Sequence, residues 1–181
     1  MCTVNNANCW SDVPLTNDQS QINQKDFKRK KIINYLKNQG RHNSDCIFCR
    51  ILDGLEEGTF IYRDDNVSAF MDIHPLFEGH TLVIPNEHFK DISDVKPEIM
   101  VEVMKVAQIV SKLMIDNLGA DGINIMHSTG RSAGQTIYHF HVHVLPRRIG
   151  DDTGFERWWF SRSHKASRDE LQEVANRLTQ R

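Results

Sequence analysis

His139-Phe140-His141-Val142-His143-Val144-Leu145-Pro146 places three histidines at every second position, with apolar residues between them. In an extended strand, alternate side chains point to opposite faces. Phe140, Val142 and Val144 would then face a core, and His139, His141 and His143 would line the other side. Neighbouring imidazoles would stand about 6–7 Å apart, twice the rise per residue of a strand. Two chemistries suit such a row. Imidazole ligates metals, and it is also an uncharged nucleophile at neutral pH that can form a covalent intermediate.

The loop ahead of the strand favours the second reading. In Gly130-Arg131-Ser132-Ala133-Gly134-Gln135-Thr136, the glycines let backbone N–H groups approach an anion. Gln135 adds an amide donor and Thr136 a hydroxyl donor. Such donors suit a phosphoryl group beside the middle histidine.

Working outward, Phe60–Arg63 and Ser68–Asp72 read as strands around the turn Asp64-Asp65-Asn66. His80–Pro85 reads as a third strand and Gly122–His127 as a fourth. Pro97–Leu118 reads as a long helix, with Pro in its first turn and Gly119 after its end. Ile99, Val103, Val106, Val110, Leu113 and Met114 form its apolar stripe, and Met100, Met104, Ala107 and Ile115 broaden it. A helix that apolar needs two neighbours, the sheet and a second subunit, or else lies deeper in its own core. Asp45–Leu52 reads as a short helix stopping at Gly54. Strands, one long helix, then strands again predict an α+β fold with an antiparallel sheet.

The extensions are polar. Residues 1–24 read as a disordered tail. Residues 25–43 read as a helical extension, whose Lys28-Arg29-Lys30-Lys31 run reads as a solvated face in preference to a targeting or anionic-surface patch. Residues 151–181 hold Trp158-Trp159-Phe160 and a last helix opened by the capping box Ser167-Arg168-Asp169-Glu170.

The 181 residues carry a net charge of −2 and 39% hydrophobic residues. The charge argues against nucleic-acid or membrane partners. No apolar run spans a bilayer, no signal peptide is evident at Met1–Asn6, and a cytoplasmic protein is expected. Cys46 and Cys49 form a Cys-x-x-Cys pair, read as half of a zinc site, a redox couple or two buried thiols. Redox use would need a βαβ context that this pattern lacks.

The triad stretch resembles the signature of the histidine-triad (HIT) family of nucleotide hydrolases and transferases. Asp45–Cys49, Ala69–Ile73, Gly79–Pro85 and Ala133–Thr136 resemble further family blocks, in order. The likeness runs from about Ser44 to Arg148, making 44–150 the HIT domain, with a weaker echo of zinc-containing bacterial-type members from Gly150 to His164. The resemblance implies a HIT-like antiparallel sheet of about five strands with one long and one short helix. It implies that His141 attacks an α-phosphate and carries the nucleotidyl group, and that water then releases a nucleoside monophosphate. His143, Gln135 and Thr136 would hold phosphate oxygens, with Gly134 in the same loop. Asp72 would accept from ribose hydroxyls. Phe48, Ile51, Phe70 and Ile73 would wall a purine pocket, unless they are core residues only. Asn124 matches a family position, whereas Ser128 stands where relatives usually carry Asn. The resemblance also selects His88 and His139 to complete one structural zinc site per chain with Cys46 and Cys49, and it implies a homodimer.

The expected substrate is a dinucleoside polyphosphate such as diadenosine tetraphosphate, or an adenosine phosphoramidate. Arg147 and Arg148 lean the reading toward polyphosphates. The alternatives are a zinc-stabilised nucleotide-binding module with little turnover, a zinc-dependent nucleic-acid binder, and a metal held by the triad itself.

Overall fold

The structure, a computed structural model, describes residues 42–151, 154 and 166–179. The polar tail, the first expected helix and the tryptophan-rich segment lie outside those residues.

Five strands form one antiparallel sheet in the order β1-β2-β3-β5-β4. They are β1 (Phe60–Arg63), β2 (Val67–Met71), β3 (Thr81–Pro85), β4 (Gly122–Met126) and β5 (Val142–Arg147). A short helix, α1 (Ile47–Leu52), precedes them, and the long helix α2 (Pro97–Leu118) joins β3 to β4. The α+β expectation holds. The β1–β2 turn forms because Asp64 Oδ1 accepts the N–H groups of Asn66 and Val67, both at 2.7 Å. This is the short side-chain-to-backbone bonding that makes Asp a turn residue.

Residue parity assigns the two faces of the sheet. Val67, Ala69, Val83, Phe140, Val142 and Val144 pack with Val103, Val106, Ala107, Val110 and Met114 of α2. Phe70, Leu82 and Ile84, from the opposite face, pack with Phe48, Cys49 and Leu52 of α1. The triad therefore runs along the face that α2 leaves uncovered.

The triad strand is shorter than its pattern predicts. Pairing with β3 ends at Val83↔Val142, so His139 and His141 lie before the ladder. The next backbone groups are diverted: Phe140 N–H donates to Phe89 O at 2.6 Å, and the Pro85 carbonyl accepts from His139 Nε2 at 3.0 Å. The His139 ring packs against His88 at 5.0 Å. The rings of His141 and His143 stand 4.9 Å apart, closer than a flat strand would set them.

A further helix, α3 (Arg168–Thr179), opens with the expected capping box. Glu170 Oε2 accepts from Ser167 N–H at 2.7 Å, and Ser167 Oγ accepts from Glu170 N–H at 3.3 Å. None of its residues is buried.

Candidate active site

A cleft of about 860 Å³ opens on the α1 side of the sheet. Phe48, Ile51, Phe70, Ile73 and Leu82 wall its apolar part, and Asp72, Ser128, Gly134, Thr136, His141 and His143 line the rest. Phe48 and Phe70 are both core and wall, at 4% and 3% exposed. Ile73, at 82% exposed, serves no core and stands as a lip of the cleft.

His141 is buried in the wall, with Phe48 edge-on to its ring at 5.4 Å. Its Nδ1 lies 2.6 Å from the carbonyl of His139. A carbonyl can only accept, so Nδ1 carries the proton and Nε2 keeps its lone pair. Burial pushes the imidazole down to about 4, more strongly than that bond raises it. The ring is neutral at pH 7, with one nucleophilic nitrogen.

His143 gains its orientation from His80, a residue that sequence reasoning passed over as part of a strand. Leu76 N–H donates to His80 Nδ1 at 3.3 Å. His80 therefore carries its proton on Nε2, which lies 2.9 Å from His143 Nδ1 and 3.5 Å from Asp72 Oδ2. That leaves an N–H at His143 Nε2 as a donor in the lining of the cleft. Burial lowers both imidazoles from the ordinary value, so the neutral relay is the favoured state. The available signal was parity: His80 shares a strand face with Leu82, which pairs with His143.

The glycine loop differs from expectation. The N–H groups of Ala133, Gly134 and Gln135 donate to Gly130 O, Arg131 O and Gly130 O, closing a tight turn. Gly134 sits at φ +88°, where a glycine is favoured. The Gln135 side chain is also spent on backbone groups. Its Oε1 accepts from Gly130 N–H at 2.8 Å, and its Nε2 donates to Lys90 O at 2.8 Å and Ile137 O at 3.2 Å. Gln135 thus staples the turn and does not reach the cleft. Thr136 remains as the loop's exposed hydroxyl at the site.

Asn124 is not in the cleft either. It lies in the middle of β4, opposite Leu145, and its Oδ1 accepts from Arg147 Nη1 at 2.6 Å. Arg147 also pairs with Asp151 at 2.8 Å, and Arg148 Nη2 donates to Leu118 O at 2.7 Å. Both arginines clamp the end of the sheet, which removes the argument that they meet extra phosphates.

Cys46, Cys49, His88 and His139 gather behind His141, with their ligand atoms within 4.8 Å of one another. The Cys46 Sγ–His139 Nδ1, Cys49 Sγ–His88 Nδ1 and Cys49 Sγ–His139 Nδ1 separations are 3.5, 3.3 and 3.6 Å. Tetrahedral zinc, with Zn–S of about 2.3 Å and Zn–N of about 2.0–2.1 Å, sets S···N edges of about 3.5 Å. The tautomer fits as well: His139 Nε2 donates to Pro85 O, so Nδ1 turns its lone pair to the sulfurs. The hydrogen bond from Cys49 pulls the Cys46 thiol down to about 3, against burial and with help from His139. The same bond pushes Cys49 upward, and burial adds to it. Alone, the pocket favours one thiolate; a dication lets both sulfurs ionise. The donor set fits zinc.

The HIT domain model matches residues 55–150. The chain belongs to the HIT family. Protein hit of Bacillus subtilis is 30% identical over 137 residues, 76% of this chain and 94% of that protein. The adenylylsulfatase HINT3 of Arabidopsis thaliana is 32% identical over 108 residues, 60% of this chain and 55% of that protein. Among solved structures, a zinc-bound histidine-triad protein from Mycobacterium smegmatis is 38% identical at a TM-score of 0.60, covering 70% of this chain and 86% of that one. SMU.412c from Streptococcus mutans aligns at a TM-score of 0.69 and 31% identity, over 77% of this HIT chain and 86% of its own. No helix among the described residues is long and apolar enough to cross a membrane.

Proposed function

We propose that this HIT protein hydrolyses nucleoside 5′-phosphate derivatives through a covalent nucleotidyl-histidine. One observation carries the reading: His141 lines the cleft as a neutral imidazole, with Nδ1 committed to the His139 carbonyl and Nε2 free to attack. Attack forms a P–N bond and breaks the bond to the leaving group, which departs with a proton from Thr136 or solvent. The His139 carbonyl faces the Nδ1–H of the imidazolium that develops. His143 Nε2–H holds a phosphate oxygen. Water then attacks phosphorus and gives its proton to whichever group protonated the leaving group, Thr136 or solvent, while the P–N bond breaks and the monophosphate leaves with His141 neutral again. Two easier displacements replace one. Asp72 accepts from the ribose, while Phe48, Ile51, Phe70 and Ile73 enclose a purine. Zinc at Cys46, Cys49, His88 and His139 would supply structure, fixing the residue whose carbonyl holds the nucleophile.

The leaving group is an amine or a polyphosphate, and the adenylylsulfatase relative adds adenylyl sulfate to the substrates worth testing. The test compares adenosine phosphoramidate, diadenosine tetraphosphate and adenylyl sulfate on one preparation, with His141→Ala beside it. Labelled nucleotide should be trapped on His141, and the alanine variant should bind nucleotide without turning it over. Binding without turnover by the wild type would make the protein a nucleotide-binding module instead.

A homodimer is part of the same proposal. β4 is an edge strand, and beside it a groove of about 670 Å³ is lined by Met100, Val101, Met104, Ile123 and Ile125. Val101, Met104 and Ile115 are exposed among the described residues, and a second copy related by a two-fold would cover this apolar band.

A further inference from the structure

One more imidazole holds the nucleophile, from a position outside the cleft. The β4–β5 ladder pairs Asn124↔Leu145, Ile125↔Val144 and Met126↔His143, and there it ends. One further pair would set His127 opposite Val142, and the next Ser128 opposite His141. Instead a side chain takes over. His127 Nδ1 lies 2.7 Å from the His141 carbonyl. Because a carbonyl only accepts, the His127 proton sits on Nδ1. Nε2 is then the acceptor for the Thr129 hydroxyl at 2.8 Å. The ring packs on Phe140 at 4.7 Å, which fixes its plane.

We propose that His127 is a positioning residue for the nucleophile, an inference that rests on the reading of His141 above. His141 is gripped at two points, its ring by the His139 carbonyl and its own carbonyl by His127. An imidazole reaches farther than a backbone amide. The chain can therefore leave the sheet at Met126 and form the Gly130–Gly134 turn without releasing His141. Through Thr129, the same ring ties the nucleophile's main chain to the turn that carries Thr136.

The test uses two variants of the full chain. His127→Leu keeps bulk against Phe140 and removes both polar contacts. His127→Asn restores an N–H near the place of Nδ1. Small misplacements of reacting groups cost up to about a hundredfold in rate. We expect His127→Leu to lower kcat by about tenfold or more while KM moves less than about twofold, and His127→Asn to recover most of the loss. A leucine variant with wild-type kcat, or an asparagine variant no better than leucine, would overturn the proposal. Long-range proton–nitrogen spectra give a readout independent of turnover. His127 should be the Nδ1–H tautomer, and the His141 ring signals should broaden or split in His127→Leu. An Nε2–H tautomer at His127, or unchanged His141 signals, would also overturn it. A wild type inert toward every nucleoside derivative would instead overturn the proposed function, and the spectra would still decide the positioning.

Discussion

His80→Leu tests whether the second imidazole of the relay acts only through His143. His80 is 3% exposed, and its Nε2 is 2.9 Å from His143 Nδ1. Leucine fills most of the space but leaves that Nδ1 half-buried without a donor. An unsatisfied buried acceptor costs about 1–3 kcal/mol. If the whole cost falls on the transition state, at about 1.4 kcal/mol per decade, kcat/KM drops by about 5- to 150-fold. The informative assay is a double-mutant cycle on a fluorogenic nucleoside phosphoramidate, using His80→Leu, His143→Ala and the double variant. Residues acting as one unit are strongly non-additive. The double variant should therefore be no slower than His143→Ala by more than about twofold. A double variant slower by the product of the two single losses would refute the relay and give His80 a separate role, for instance through Asp72.

Three further outcomes are expected. Burial holds His80 and His143 below the ordinary imidazole value of 6.5, so the unfolded chain takes up protons first as pH falls. Their contribution is complete above that value and is lost below it; the urea midpoint should drop in acid, less steeply in His80→Leu, and equal slopes would count against this. Metal analysis should find one zinc per chain, and cobalt in its place should show thiolate charge-transfer absorption that Cys49→Ser weakens; a protein purified without metal and unchanged by chelator would remove the site. Met104→Glu should convert a dimer to a monomer in light scattering with the fold retained, and a wild type already monomeric at micromolar concentration would dismiss that interface.

The elements were legible where periodicity had one reading. The α2 stripe predicts its buried Val103, Val106, Val110 and Met114, and the alternation of Phe140, Val142 and Val144 predicts the face that meets it. The strand's start was not legible. Alternation continues through His139, yet a backbone bond to Phe89 and a side-chain bond to Pro85 end the ladder three residues later. Gln135 misled because an amide in a glycine loop has the chemistry to bind phosphate, and the same chemistry lets it tie the loop to itself and to the Lys90 carbonyl. His80 and His127 were missed for the opposite reason. Each is an isolated histidine in the sequence, and only strand register brings it to the triad. Asp72 and Thr136, carried by family blocks, do line the cleft.

His139 belongs to two structures at once. Its ring sits among Cys46, Cys49 and His88, and its carbonyl steadies the ring of His141. No flexible segment separates these duties, since they are carried by one amino acid. Damage to the cysteine pocket, such as oxidation of a thiol, would therefore be felt at the ring of His141, two residues along the same chain. Under the proposed function, the count of intact thiols and the specific activity of an ageing sample would fall together.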